Sequence, residues 1–173
     1  MGDLKLTPYG MKAMKQLREL NHLEVFVGFQ AGQNTAKRRV EGKKQLEDTG
    51  VDILNVAVWN EFGTSTIPAR PFIMQTWDKR RAEIYKFTQA IAKRVIEGKA
   101  AAKESANQLG AKVKSMIQQT IRDGEFVPNA PSTIKKKGSS NPLIDTGTMR
   151  QSVTYVVRKK GSGGSWSSGV TIE

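Results

Sequence analysis

The stretch that decides the fold is residues 52–72, DILNVAVWNEFGTSTIPARPF. Asp52 has the side chain of a helix N-cap, and the apolar run behind it predicts a helix over 53–62. Gly63 is suited to end that helix, because glycine adopts the left-handed backbone conformation at low cost. Two prolines bracket the loop that follows, and the second, Pro71, suits the first turn of another helix. The stretch therefore predicts a helix, a braced loop and a second helix.

Further helices are predicted on both sides of this stretch. Apolar residues recur at helical spacing from about residue 71 to a break at 97–99, and again from there to about residue 123. A shorter amphipathic helix is predicted over 6–20. The apolar stripe of the short helix is Met11, Met14, Leu17 and Leu20, and that of the helix after residue 71 is Trp77, Ile84, Phe87, Ile91 and Val95.

Strands are predicted near the two ends of the chain. Residues 23–29 and 153–158 are rich in β-forming side chains and show alternation. A Gly/Ser loop at about 161–168 separates the second strand from a hairpin partner at 170–172. Residues of about 30–51 are polar and basic with interspersed glycines, and are interpreted as a mobile loop. The predicted fold class is α+β, with a small antiparallel sheet from N- and C-terminal strands packed against central helices.

Composition excludes several classes of chemistry. The chain has 173 residues, 38% of them hydrophobic and 25% charged, which predicts one globular domain over 1–173. It has no cysteine, so disulfides and thiolate catalysis are excluded, and its single histidine, His22, excludes a His-rich metal site. No apolar run approaches the roughly 20 residues of a membrane span. No catalytic, cofactor-binding or metal-binding residue is predicted.

The formal net charge is +12, which usually means contact with a polyanion or with acidic protein surfaces. The basic clusters lie in separate, mostly loop-like places and have no interleaved aromatic residues, which fits non-specific attraction better than base readout. The candidate contacts with a polyanion or an acidic partner are Lys37, Arg38, Arg39, Lys135, Lys136 and Lys137. A solvated, flexible loop is the plainer interpretation of the first three.

The loop of the first motif has two interpretations. As a structural element it is a helix end and a braced connection, in which Arg70 pairs with Glu61 across the loop. As an interaction site it presents Arg70 and Phe72 rigidly to a neighbour, because a loop fixed by prolines loses little entropy on docking. The two interpretations are compatible.

A second motif, PLIDTGTMRQS, occupies residues 142–152. Part of it is similar to the active-site strand of a dimeric aspartic protease, in which two aspartates share a proton. That site needs a β-rich domain, which the surrounding helices do not predict. In the simpler interpretation Asp145 or Thr146 caps a helical turn that starts at Thr148, and Gly147 allows the tight bend before it.

Five segments then stand in a particular order along the chain, at residues 27–28, 60–64, 67–72, 132–138 and 143–149. This ordered set resembles the neck and tail-completion proteins of long-tailed bacteriophages, the virion-morphogenesis family that includes minor tail protein Z. The resemblance spans about residues 4–157. The longer basic loop after residue 30 departs from it.

The resemblance implies a structural, non-enzymatic role in tail completion and head–tail joining, in the neck of the virion after assembly in the host cytoplasm. It implies a homo-oligomeric ring, commonly sixfold, that contacts head-closure, tail-terminator and tail-tube proteins, with no cofactor and no membrane. A tail terminator that caps the tail tube and a non-specific DNA-binding protein are the alternatives, and a weak contact with phage DNA stays open. The resemblance further implies that certain motif residues shape the fold and the subunit contacts: Asn60, Glu61, Phe62, Gly63, Pro68, Arg70, Pro71, Phe72, Asp145, Thr146 and Gly147.

Overall fold

The computed structural model describes residues 6–40 and 45–161. The elements in chain order are α1 (Pro8–Asn21), β1 (Leu23–Gly28), β2 (Thr35–Arg38), β3 (Glu47–Asp52), α2 (Ile53–Phe62), α3 (Phe72–Ile96), α4 (Ala102–Asp123), α5 (Pro131–Lys137), α6 (Thr148–Ser152) and β4 (Thr154–Lys159). Within these ranges, none of the helices has the length and apolar character needed to cross a membrane.

The described strands form two separate antiparallel pairs. β1 pairs with β4 from Leu23 opposite Lys159 to Gly28 opposite Thr154, so the first and last described strands lie side by side. β2 pairs with β3 as a hairpin. The predicted α+β class, with a sheet built from both ends of the chain, is confirmed. The predicted strand at 170–172 and most of the Gly/Ser loop lie outside the described residues.

Helix α4 covers the β1–β4 sheet, and α3 packs on α4. α4 packs on both strands of this sheet, and α1 packs on α3 and α4. Gly110 lets α4 approach the sheet closely, because a Cβ at that position would lie 2.4 Å from a ring carbon of Tyr155. The main core forms where α2, α3, α4 and α6 meet, around the edge-to-face pair Phe29 and Phe72 with ring centroids 6.0 Å apart. Its other buried members are Ile53, Ala57, Ile117, Ile121, Leu143, Met149 and Val153.

The ends of α2 agree with the sequence prediction. Oδ1 of Asp52 accepts the backbone N–H of Leu54 at 2.9 Å, as an N-cap residue does. Gly63 follows the last residue of the helix with φ of 78°, a conformation that strongly favours glycine. The break between α3 and α4 at residues 97–99 is also confirmed.

The prediction of a loop over about 30–51 is wrong at β2 and β3, which are strands. These strands are polar, so they lack the apolar alternation that identifies a strand in sequence. Side-chain hydrogen bonds hold them together: Thr35 donates to the Asp48 carboxylate, and the Thr49 hydroxyl donates to the carbonyl of Ala36 at 2.8 Å. The Thr35 hydroxyl, followed by the N–H of Gly50, lowers the pKa of Asp48.

The apolar stripe predicted for α1 is only partly buried. Met11 and Met14 are exposed, whereas Ala13 is the buried residue of this helix. A spacing of three residues advances about 300° around a helix axis, so residues repeated at that spacing drift from one face to the other. Trp77 is likewise exposed, although Ile91 and Val95 of the stripe predicted for α3 are buried.

Candidate functional site

The loop between α2 and α3 is closed by its own hydrogen bonds. A Cβ on Gly63 would lie 2.9 Å from the backbone nitrogen of Ala69, so a larger residue would force the loop apart. Oγ1 of Thr64 accepts the N–H groups of Thr66 and Ile67 at 3.2 and 3.0 Å, and the N–H of Thr64 donates to the carbonyl of Ile67 at 2.8 Å. These bonds hold the loop in one shape without a partner.

Glu61 caps the helix that follows the loop. Its two carboxylate oxygens accept the N–H groups of Ile73 and Met74 at 2.9 and 3.0 Å, in the first turn of α3. Pro71, at the N-cap position of α3, has no side chain that can do this. A negative charge at a helix N-terminus also interacts favourably with the helix dipole. The last turn of α2 thus supplies the cap of α3.

Arg70 fastens the same loop to the segment that follows α4. Its side chain is buried, and Nε donates to the carbonyl of Val127 at 2.9 Å while Nη2 donates to Oδ1 of Asn129 at 3.0 Å. Nη1 reaches Oδ1 of Asn60 at the longer distance of 3.5 Å. All three acceptors are neutral, and burial lowers the pKa of Arg70. The predicted pairing of Arg70 with Glu61 is therefore wrong.

The predicted presentation of Arg70 and Phe72 to a neighbour is also wrong. Arg70 is 5% exposed and Phe72 is fully buried, because both side chains point into the protein from the ends of the loop. Phe62 of the same motif is 77% exposed. Of the other predicted motif residues, Glu61 is buried, Pro68 and Pro71 are exposed, and Asn60, Gly63, Asp145, Thr146 and Gly147 are half-buried.

The second motif is shaped by a turn rather than by a strand. Oδ1 of Asn141 accepts the N–H groups of Leu143 and Ile144, both at 3.1 Å. The predicted helical turn is present as α6, with Gly147, at φ of 80°, in its N-cap position. The predicted N-cap position is therefore wrong for both Asp145 and Thr146, although Oγ1 of Thr146 accepts the N–H of Thr148, the first residue of α6, at 3.4 Å. The Asp145 environment does not match the β-rich setting of an aspartic protease.

The two motifs meet at one open cleft of about 720 Å³. Asn60, Ile67, Pro68 and Arg70 of the first motif and Asp145, Thr146 and Gly147 of the second contribute to its lining. The hairpin β2–β3 and helix α5 complete the walls. Sequence segments that lie far apart therefore build a single surface feature.

Two basic clusters that the sequence placed separately also meet in this cleft. Lys37 and Arg38 of β2 line it, and so does Lys137 of α5, whose Nζ donates to the carbonyl of Pro142 at 3.2 Å. Burial lowers the pKa of Lys137, and the charge of Asp145 opposes that shift. Arg39, Lys135 and Lys136 are exposed outside the cleft lining.

The surface of the cleft is more apolar than polar, with a few charged side chains among the residues that line it. Asp145 is the one carboxylate among the described residues that line it, and its buried Oδ1 has no hydrogen-bond partner. Across residues 6–40 and 45–161, histidines and acidic residues form no group of three or more that could hold a metal ion. Lys37, Arg38 and Lys137 share the lining with Asp145, so the cleft carries charges of both signs among apolar side chains.

Exposed apolar side chains form two further surfaces. The aromatic surface consists of Trp59, Phe62, Met74 and Trp77, which are between 40% and 77% exposed. The cap by Glu61 joins the last turn of α2 to the first turn of α3, and Trp77 lies one turn beyond Met74 on α3.

The methionine surface consists of Leu6, Met11 and Met14, which are between 41% and 56% exposed. Met11, Met14 and Trp77 of these two surfaces belong to the apolar stripes predicted from the sequence, and their exposure contradicts that prediction. The sequence does carry one signal of the aromatic surface. Helix α2 is apolar on nearly every side, and a helix that lies at the protein surface cannot bury all of its apolar side chains.

Comparison of the chain with protein-family models, with curated proteins and with solved structures finds no match.

Proposed function

We propose that this chain is a structural, non-enzymatic protein of a long-tailed bacteriophage, which completes the tail at its head-proximal end and joins it to the head. The proposal depends on one observation. The two motifs that carry the resemblance to phage neck and tail-completion proteins lie together in the fold. Residues 60–70 and 142–149 line one cleft although they lie far apart in sequence. The proposed location is the neck of the virion, with assembly in the host cytoplasm.

The chemistry of the cleft favours docking over catalysis. The polar side chains around it, Arg70, Asn129 and Asn141, are used to hold backbone segments in place. A site whose loops are already fixed loses little conformational entropy when a partner enters it. We therefore assign the cleft to contact with a head-closure, tail-terminator or tail-tube protein.

The charge favours an acidic protein partner over DNA. The net charge of +12 attracts either one. A channel through which DNA must slide should not bind it tightly, however, and the basic residues of the cleft share its lining with a carboxylate and with apolar side chains. Such a mixed lining suits a protein segment with an acidic side chain better than a phosphate backbone.

The decisive test is electron microscopy of lysates from a phage that lacks the gene for this chain. DNA-filled heads beside separate tails of normal length would support the proposed role in tail completion. Overlong tails would instead assign the role of tail terminator. Intact, infectious particles would refute the proposal.

A complementation assay tests whether the cleft is the docking site. Lys37 is exposed and lines the cleft, so Lys37→Glu should repel an acidic partner and fail to restore plaques in the deletion phage. The matched control is Lys86→Glu, on the exposed face of α3 and outside the cleft, which should restore them. Equal plaque counts for both variants would refute the assignment of the cleft.

Duplex binding addresses the DNA-binding alternative. A non-specific DNA-binding protein gives dissociation constants of about 10⁻⁴ to 10⁻⁶ M that weaken steeply with salt. We expect weaker binding than that for the purified chain, measured by fluorescence anisotropy of a labelled duplex. Binding in this range with a steep salt slope, together with infectious deletion phage, would favour the alternative.

A further inference from the structure

The aromatic surface and the methionine surface lie near opposite ends of α3. The aromatic surface includes Met74 and Trp77 in the first two turns of this 25-residue helix. The methionine surface consists of two residues of α1 and of Leu6 just before it. Helix α1 is attached near the other end of α3, where the hydroxyl of Tyr9 donates to the carbonyl of Ile96 at 3.3 Å. At a rise of about 1.5 Å per residue, α3 separates the two ends by about 37 Å. The two surfaces therefore cannot cover each other within one molecule.

We propose that the aromatic surface of one molecule binds the methionine surface of a second copy of this chain, in a head-to-tail contact. A contact between two different surfaces leaves one of each free at the ends, so it continues until the molecules close into a ring or form a filament. The ring is part of the proposed function and rests on it. The pairing of the two surfaces rests on the side chains described above.

The chemistry of the two surfaces is complementary. Methionine is flexible and its sulfur contacts aromatic rings favourably, so Met11 and Met14 suit a partner that presents Phe62 and Trp77. Exposed hydrophobic patches of this kind are typical of interaction sites. A contact between two aromatic surfaces would instead leave the methionine surface of each molecule in water.

One pairing of opposite charges is available to the head-to-tail contact at Asp78, beside the exposed Arg81 of the same helix. Asp78 follows Trp77 and is exposed, and no ion pair joins it to any residue in the described ranges. The neighbouring Lys79 and Arg80 pair with Glu125 and Glu83 of the same chain, at 3.8 and 4.0 Å. On α1, the exposed residues Lys12 and Lys15 flank the two methionines. A second copy can therefore place a lysine near Asp78, whereas a symmetric contact would bring two Asp78 side chains together.

The apolar area is enough for a weak contact. Each half-exposed side chain of this size offers about 100 Å², so the seven residues of the two surfaces offer about 700 Å². A standard interface buries about 1,600 Å² in total, so apolar side chains would supply a little under half of it and polar neighbours the rest. In a closed ring each molecule makes two such contacts, which raises the stability of the whole.

The test uses the purified chain and two variants that place a carboxylate on one surface each, Trp77→Glu and Met11→Glu. Light scattering coupled to size exclusion measures the mass at a loading concentration of about 100 µM, where a micromolar contact assembles. We expect an oligomer for the unmodified chain and a monomer for each variant. A mixture of the two variants retains one intact pair of surfaces and should form a dimer.

Leu46→Glu is the matched control, because Leu46 is exposed but belongs to neither surface. It should leave the oligomer unchanged, and circular dichroism should show that all three variants are folded. A monomeric unmodified chain, an unchanged oligomer in both variants, or a mixture of variants that stays monomeric would each overturn the head-to-tail contact. A deletion phage without a neck defect would refute the proposed function but leave this result standing.

Discussion

The guanidinium of Arg70 donates to the side-chain oxygen of Asn129 at 3.0 Å, inside the protein and across 59 residues of sequence. The same guanidinium donates to the carbonyl of Val127 at 2.9 Å. The loop before α3 and the segment after α4 are thereby held together at one wall of the cleft. Within residues 6–40 and 45–161 no carboxylate pairs with this arginine, whose hydrogen bonds go to neutral oxygens.

Replacing Arg70 should destabilise the protein strongly. In Arg70→Met the carbonyl of Val127 and Oδ1 of Asn129 lose their donor, and for a buried acceptor such as that of Asn129 the loss of its partner costs about 1–3 kcal/mol. The variant also removes the cost of burying a charge, so we expect a net loss of about 2–4 kcal/mol in the free energy of unfolding. Urea denaturation followed by circular dichroism measures it.

Arg81→Met is the matched control for this substitution. Arg81 is exposed on α3, and we expect its replacement to change the free energy of unfolding by less than about 0.5 kcal/mol. Arg70→Lys should restore only part of the loss, because an ammonium group cannot reproduce the fork of a guanidinium. A stable Arg70→Met protein would show that the acceptors find other donors.

Removing the cap of α3 should have a smaller effect. Glu61→Ala leaves the N–H groups of Ile73 and Met74 without their acceptor, and the loss of a helix cap costs about 0.5–2 kcal/mol. Glu61→Gln should lie between, because it keeps one acceptor oxygen but loses the charge that favours the helix dipole. Urea denaturation of both variants measures which of them loses more free energy of unfolding.

Glu125→Ala serves as the comparison for the cap, since the side chain of Glu125 is exposed and forms only a long ion pair with Lys79. Its replacement should cost little. If Glu61→Ala were no more destabilising than Glu125→Ala, water would be satisfying the first turn of α3 as well as the carboxylate does.

Gly110 should resist substitution by alanine, although alanine is the better helix former. In an unpacked helix the change would gain about 1 kcal/mol. Here the new Cβ would lie 2.4 Å from a ring carbon of Tyr155, so α4 or the ring must move. We expect a net loss of about 1–3 kcal/mol in the free energy of unfolding, measured by thermal or urea denaturation.

A second substitution separates the clash from a loss of helix stability. Tyr155→Val in the Gly110→Ala background removes the ring and should recover part of the loss, whereas Tyr155→Val alone should destabilise by loss of packing. The double-mutant cycle should therefore show a favourable interaction between the two changes. Simple additivity would contradict the close helix–sheet contact.

Residues with strong local signals were predictable from the sequence. Asp52 and Gly63 define the ends of α2 by chemistry that acts within a few residues, a cap and a left-handed backbone position. The long apolar periodicity of α3 and α4 identifies them as helices. The hairpin β2–β3 was missed, because its side chains are mostly polar and its hydrogen bonds, such as that of Thr49 to Ala36, carry no apolar pattern.

The candidate site was less predictable, because it depends on contacts between distant segments. Arg70 stood out in sequence, but its acceptors at Val127 and Asn129 belong to a segment with no recognisable motif. The sequence of the motif predicted that Arg70 is exposed and pairs with Glu61. In the structure Arg70 is buried and does not bind Glu61. Trp77 fitted an apolar stripe equally well, yet α1 covers only the far part of α3 and leaves this residue exposed.

The stability contributed by Lys137 should depend on pH. Burial disfavours the charged form of its side chain in the folded state and so lowers its pKa below the ordinary 10.5 of a lysine. Between the lowered pKa and 10.5 the unfolded chain therefore binds more protons than the folded one, and stability from this group rises with pH across that window. Lys137→Met has no such group. We expect the free energy of unfolding of the unmodified chain to increase relative to that of Lys137→Met from neutral pH towards pH 10, measured by urea denaturation at each pH.

Lys136→Met, at an exposed position of the same helix, should follow the unmodified chain at every pH. If the difference in the free energy of unfolding between the unmodified chain and Lys137→Met did not change with pH, Lys137 would be as well hydrated in the folded protein as in the unfolded chain.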